Sequence, residues 1–158
     1  MVSQVFDATP DTLPLLEAAF RHLASDLNDP YRMDSDRLAA ALFGPHPACY
    51  GALAMGEADA VLGAALYAPV TSTAAGGTGV YVSDLWVAEA ARGQALGPAL
   101  LRHVAARARQ LWNARFLRLV SYRTNDRARR FYTRLGFVEK HDELVLQLSG
   151  EAFDQINR

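Results

Sequence analysis

Residues 81–112 read YVSDLWVAEAARGQALGPALLRHVAARARQLW, a run that passes from an extended pattern through a turn to a helical one. The extended part belongs to residues 79–87, where Val80, Val82 and Val87 with Tyr81 and Trp86 suit a strand. In residues 96–112 the period lengthens. Leu100, Leu101, Val104, Ala105, Ala108, Leu111 and Trp112 fall on one helical face and leave Arg102, His103, Arg107, Arg109 and Gln110 outside, so this stripe packs on a sheet. Between strand and helix lie Ala91, Arg92, Gly93, Gln94, Ala95, Leu96, Gly97 and Pro98. Their small side chains let the backbone turn tightly and present successive N–H groups at a helix N-terminus, an arrangement that binds anionic phosphate. Arg92 adds a charge-assisted contact. Pro98 fits the first helical turn, where its missing N–H loses no internal bond, but it removes one donor to a ligand. The same residues also read as a tight connection with no ligand.

Working outward, residues 2–7 read as a short strand, and Thr9, Pro10 and Asp11 open a helix through Leu27 with Leu13, Leu16, Phe20 and Leu23 on its apolar stripe. Asn28, Asp29 and Pro30 break it; Asp34 or Ser35 caps a second helix carrying Leu38, Leu42 and Phe43, which Gly44 and Pro45 end. Residues 49–54 and 60–70 read as strands joined by a hairpin turn at 56–59, and 71–79 as a mobile glycine-rich loop. Beyond the quoted run, residues 116–122 read as a strand, 125–135 as a helix, and 137 onward as two short strands. The order β-α-α-β-β-β-α-β-α-β-β predicts an α/β fold: one mixed central sheet flanked by helices, in a single domain over residues 1–158.

The totals exclude several classes. With 158 residues, 51% of them hydrophobic, the chain has material for one core. The longest apolar stretch, 60–70, holds Gly63 and Pro69 and falls short of the ~20 residues of a membrane helix. Residues 1–7 lack a basic leader followed by an apolar segment, so a cytoplasmic location is expected. Cys49 is the single cysteine and is expected half-buried or buried; His22, His46, His103 and His141 are dispersed, so no metal site is expected. Charge is uneven. Residues 1–91 carry eleven acids against three arginines, 92–134 eleven arginines against Asp126, and 135–158 five acids against two bases. A basic middle suits a polyanionic ligand and acidic flanks a cationic one, while the same arginines also read as a solvated surface.

The segments Asp84-Leu85-Trp86-Val87, Arg92-Gly93-Gln94-Ala95-Leu96-Gly97 and Leu100-Leu101 resemble the acetyl-CoA motif of the GNAT superfamily of N-acetyltransferases. Asn125, Ala128, Phe131-Tyr132 and Gly136-Phe137 resemble its later helix motif. Residues 41–47, 65–67 and 79–87 look like the diamine (spermidine/spermine, thialysine-type) branch, whose members are homodimers with the active site near the subunit interface.

The resemblance implies transfer of an acetyl group from acetyl-CoA to a primary amine of a small molecule. It lays pantetheine along Leu85, Trp86 and Val87 as an added strand, with the Val87 N–H polarising the thioester carbonyl. The pyrophosphate would meet the amides from Arg92 to Gly97, and Asn125 with Arg129 or Arg130 the pantetheine or nucleotide end. Tyr132 aligns with the tyrosine that protonates the departing thiolate, and its alternative is an aromatic core residue beside Phe131. Ser83 stands where the branch has a glutamate, so either Asp84 or a water chain takes the amine proton, and Asp84 faces the wrong side of the strand unless a bulge turns it. Ala95 replaces a common glycine, and the segment 26–33, shorter than in polyamine enzymes, speaks against polyamine specificity. Asp26, Asp29 and Asp34 could attract a cation, but near a helix end and a turn they read more readily as caps or solvated acids. A regulator that binds acetyl-CoA without turnover, and a nucleic-acid module built on the arginines of residues 92–134, are the competing readings; the latter lacks a stacking motif.

Overall fold

The structure, a computed structural model, describes residues 4–156. It divides into two units, one ending at Val120 and one beginning at Ser121. In the first, β1 (Gln4–Asp7), β2 (Tyr50–Met55), β3 (Val61–Ser72), β4 (Gly77–Val87) and β5 (Leu117–Leu119) form one sheet in that order. All neighbours are antiparallel except β4 and β5, which run parallel. Val2 and Ser3, expected to start the first strand, lie outside the described residues. The connection expected to be a mobile loop is a tight hairpin: β3 and β4 pair out to Ser72 and Gly77, and Gly76 closes the turn at φ 73°. Thr71 and Ser72 are ladder positions, opposite Thr78 and Gly77, and only Gly76 has to adopt the left-handed backbone.

Helices α1 (Leu13–Leu27) and α2 (Ser35–Phe43) cover one face of the sheet. Leu16, Ala19 and Phe20 of α1 and Leu38 and Leu42 of α2 pack with Leu53, Ala64 and Trp86 of the sheet. Each fully buried leucine here contributes roughly 1.5–3 kcal/mol. Asp34 caps α2 by accepting from the Arg37 amide at 2.8 Å. Helix α3 (Leu96–Trp112) covers the opposite face. Gly63 lets it come close behind Val87: a Cβ there would stand 2.9 Å from Leu100 Cδ1. Asp7 of β1 accepts from His103 Nε2 at 2.7 Å, tying the edge strand to α3.

One acid is buried between α1 and α2. Glu17 accepts from the Ser35 hydroxyl and from Arg21 at 2.6 Å, and these two bonds hold its carboxyl below the ordinary value of 4.5. A depressed folded value means that its stabilisation is complete above the unfolded value and is lost as pH falls through the folded one. We expect Glu17→Gln to lower stability by about 1–2 kcal/mol near neutral pH and by progressively less toward about pH 3, measured by denaturant titration at each pH.

The second unit holds α4 (Asp126–Arg134), capped by the Asn125 side chain, and the short α5 (Glu151–Gln155). The two strands expected after residue 137 do not form. Leu144, Val145 and Leu146 have the composition of a strand but are 85%, 74% and 88% exposed, with no strand paired to them among the described residues. A strand needs a neighbour for its backbone groups, and sequence pattern alone cannot supply one.

Candidate active site

The site is organised by an irregularity in β4. Tyr67 pairs with Val82 and Leu66 with Asp84, so Ser83 is an extra residue without a partner on β3. The bulge reverses which face the following side chains meet. Val82 stays with Tyr67, while Asp84 and Trp86 turn toward α1. The Asp84 carboxyl enters a cavity of about 230 Å³ walled by Phe20, Leu23, Leu27, Met33 and Leu66. Burial raises its pKa above the ordinary 3.8, against a smaller opposing effect of the Ser83 hydroxyl. Ser83 itself is exposed, and its hydroxyl donates to the Leu66 carbonyl at 3.3 Å. Ser83 therefore makes the bulge, and the carboxyl of the residue after it lines the cavity.

The other edge of β4 is open where it matters. β5 pairs only with Val80, Tyr81 and Val82, so beyond Val82 no strand among the described residues covers that edge. The Ala88 amide donates to Leu62 of β3 at 2.9 Å. Backbone groups of an antiparallel pair alternate, so Trp86 also faces β3, while Leu85 and Val87 face the open edge. Arg92 Nε reaches the Val87 carbonyl from that side at 2.9 Å, in agreement with this alternation. Leu85 and Val87 thus offer free amides. The Trp86 amide is committed to the sheet, and its indole is 8% exposed, stacked on His22 and donating to Asp26 at 3.2 Å. Trp86 is a core residue.

Arg92, expected to add a charge-assisted contact to phosphate, binds Asp26 at 2.6 Å through its guanidinium and the Val87 carbonyl through its Nε. Asp26 thereby joins α1, Trp86 and the turn. The donors that remain belong to Gly93, Gln94 and Ala95, whose amides meet no backbone carbonyl among the described residues, and to Leu96 and Gly97, which lack intrahelical acceptors in the first turn of α3. Leu96 and Gly97 are buried, Pro98 follows inside the first turn, and Gln94 Nε2 donates to the Ala90 carbonyl at 2.9 Å. Ala95 takes the left-handed conformation at φ 59° and ψ 16°, which costs an alanine about 1–2 kcal/mol. Ala95→Gly should relieve this at the expense of some unfolded-chain entropy and raise the melting temperature by about 2 °C. Calorimetry would show it, and a lower melting temperature would contradict it.

In the second unit, Asn125 Oδ1 accepts from the Ala128 amide at 3.1 Å, which leaves its side-chain NH2 for other partners. Arg129 is taken up by a two-pronged contact with Glu139, at 2.9 and 3.0 Å, whereas Arg130 is exposed. Tyr132 lies between the rings of Phe131 and Phe137, with centroids 5.1 and 5.3 Å away. Its burial pushes the phenol up to about 12.

Residues 11–137 match the sequence profile of the Acetyltransferase (GNAT) family. The chain belongs to this family. As a GNAT protein it is an acetyl-CoA-dependent N-acetyltransferase with the family's α/β fold. Among solved structures, it is similar to a probable acetyltransferase at 26% identity and TM-score 0.77, with 94% of this chain and 99% of that one covered. It is also similar to the ribosomal-protein-alanine N-acetyltransferase of Brucella melitensis biovar Abortus 2308, at 16% identity and TM-score 0.73, covering 92% and 99%. A third is an aminoglycoside acetyltransferase from an uncultured soil metagenomic sample, at 16% identity and TM-score 0.76, covering 92% and 96%. At those identities the last two show the fold alone. No curated protein sequence matches the chain.

The open β4 edge and the unpaired turn amides fit this GNAT enzyme's co-substrate, a ligand that carries amides at one end and phosphates at the other. Among the described residues no helix is long and apolar enough to cross a membrane, and no three of His, Cys, Asp and Glu gather as a metal group would. Cys49 is half-buried, as expected. Sequence reasoning missed Asp26 as the partner of Arg92, because the contact spans 66 residues and has no local signal. It also missed Tyr31, whose buried hydroxyl has no partner among the described residues and which lines the Asp84 cavity.

Proposed function

We propose that the chain transfers the acetyl group of acetyl-CoA to the primary amine of a small molecule by direct attack in a ternary complex. One observation carries this reading: the Ser83 bulge turns the Asp84 carboxyl into a cavity while Leu85 and Val87 keep their amides on the open edge of the same strand. Asp84 and Val87 are three residues apart, about 10 Å along a strand, so Asp84 takes the ammonium proton through a bridging water. The freed nitrogen bonds to the acetyl carbon as the C–S bond breaks, and the second proton of that nitrogen passes through water to solvent, leaving the neutral amide. Val87 N–H donates to the carbonyl oxygen where negative charge develops. Tyr132, assigned by resemblance, gives its phenolic proton to the departing sulfur and recovers one from solvent. Gly93, Gln94, Ala95, Leu96 and Gly97 hold the pyrophosphate through backbone N–H groups, and Asn125 and Arg130 are assigned to the nucleotide or pantetheine end. Acetyl-CoA supplies the activated acetyl group.

The likeness of residues 41–47 and 65–67 to the diamine branch supports a small amine as acceptor, and a carboxyl raised by burial supports turnover over binding alone. Initial rates measured against both substrates, with mass spectrometry of the product, test the reading. Intersecting reciprocal plots and an amine heavier by one acetyl group are expected; parallel plots with an acetylated protein would overturn direct attack. The homodimer belongs to the same proposal and is supported by the exposed Leu144, Val145 and Leu146. Light scattering should give twice the chain mass, and Leu144→Lys with Leu146→Lys should give the monomer.

A further inference from the structure

The cavity that receives Asp84 has a composition which selects among amines. Its walls from α1 are Phe20, Leu23, Ala24 and Leu27, and Pro30, Met33, Leu38 and Leu66 complete the apolar lining. Four polar residues share it: Asp84, Asp29, Arg32 and Tyr31. Asp84 is the desolvated member of the set, set among apolar side chains on the α1 face of β4, while Arg32 is exposed. A cavity of about 230 Å³ is smaller than the roughly 300–1,000 Å³ of sites for drug-sized ligands, so its occupant is a small molecule.

From this arrangement we infer that the acceptor is a monocationic primary amine on an uncharged apolar body, an alkyl or arylalkyl amine, seated with its ammonium toward Asp84 and its body against Phe20, Leu23, Leu27 and Leu66. The inference rests on the acetyl-transfer reading and narrows its substrate. A second ammonium at the far end of the acceptor would lose its hydration against apolar walls and would face Arg32, whose charge has the same sign. A distal carboxylate would lose its hydration against the same apolar walls. The direction is opposite to that of a polyamine site, which needs carboxylates along its length.

Three amines of one length test this: hexylamine, 1,6-diaminohexane and 6-aminohexanoate, which differ only in a distal methyl, ammonium or carboxylate. Each is titrated calorimetrically into the CoA-saturated protein and assayed with acetyl-CoA. Hexylamine should bind and turn over at least about tenfold better than either charged analogue, the direction in which burial of a charge in an apolar site acts. Asp84→Asn should weaken hexylamine binding about tenfold without changing CoA affinity, and Arg32→Gln should move the diamine several-fold closer to hexylamine. A charged analogue that equals hexylamine, or hexylamine binding indifferent to Asp84→Asn, would overturn the inference while acetyl transfer to another amine still stood. Hexylamine bound with the expected preference but never acetylated would uphold the pocket assignment and contradict the acetyl-transfer reading instead.

Discussion

Asp84→Asn should lower kcat/KM for the acceptor about 10²–10⁴-fold near neutral pH, the range typical of losing a general base. The size follows from the acceptor's chemistry: an alkylammonium has a pKa of about 10, so at pH ~7 only about one molecule in a thousand carries the free electron pair. The deficit should shrink as pH approaches about 10, where solvent hydroxide does the work of the carboxylate. In the parent enzyme the acid limb of the kcat/KM profile should fall where Asp84 takes up its proton, above the ordinary value of 3.8 because burial disfavours the charged form. In the variant that limb should vanish. Stability should move the other way. A carboxyl whose pKa is raised by folding gives most stability below the unfolded value and loses it as pH rises through the folded value, so at neutral pH the ionised group is a net cost. Asparagine removes the charge, and the variant should melt at an equal or higher temperature. Lost activity with retained or improved stability separates a functional carboxylate from a structural one; an active variant would return the proton to a water chain without Asp84.

Tyr132→Phe should reduce kcat about 100-fold and leave the KM for acetyl-CoA within about twofold, since only the proton donated to the leaving sulfur is lost. Burial pushes the phenol up to about 12, so it stays protonated throughout any practical assay. Phenylalanine keeps the ring contacts with Phe131 and Phe137, so the melting temperature should hardly change. A kcat within about threefold of the parent would mean that Tyr132 is an aromatic packing residue and that water protonates the sulfur.

How much of this could be read in the chain itself depends on the range of the interaction. The run of residues 81–112 announced its strand, turn and helix because each rests on local period and local backbone chemistry, and the bounds of α3 agree with the expectation, Leu96–Trp112. The Asp34 cap was legible for the same reason. Asp84 was half legible. Its neighbourhood resembled a family motif, but the face it meets depends on one extra residue, Ser83, and on the register against β3, which no local pattern encodes. The partner of Arg92 was not legible, because its contact with Asp26 spans 66 residues and leaves no local signal. Val138 and Leu144 to Leu146 have strand composition without a strand, since pairing is decided by what lies beside them.

The most direct test of the account is release of free CoA thiol from acetyl-CoA by the intact chain, with and without a primary amine. The account predicts release that depends on the amine, rises with pH and yields one acetylated amine per thiol. Tight acetyl-CoA binding with no amine-dependent thiol release, across amines with apolar, cationic and anionic ends, would contradict it.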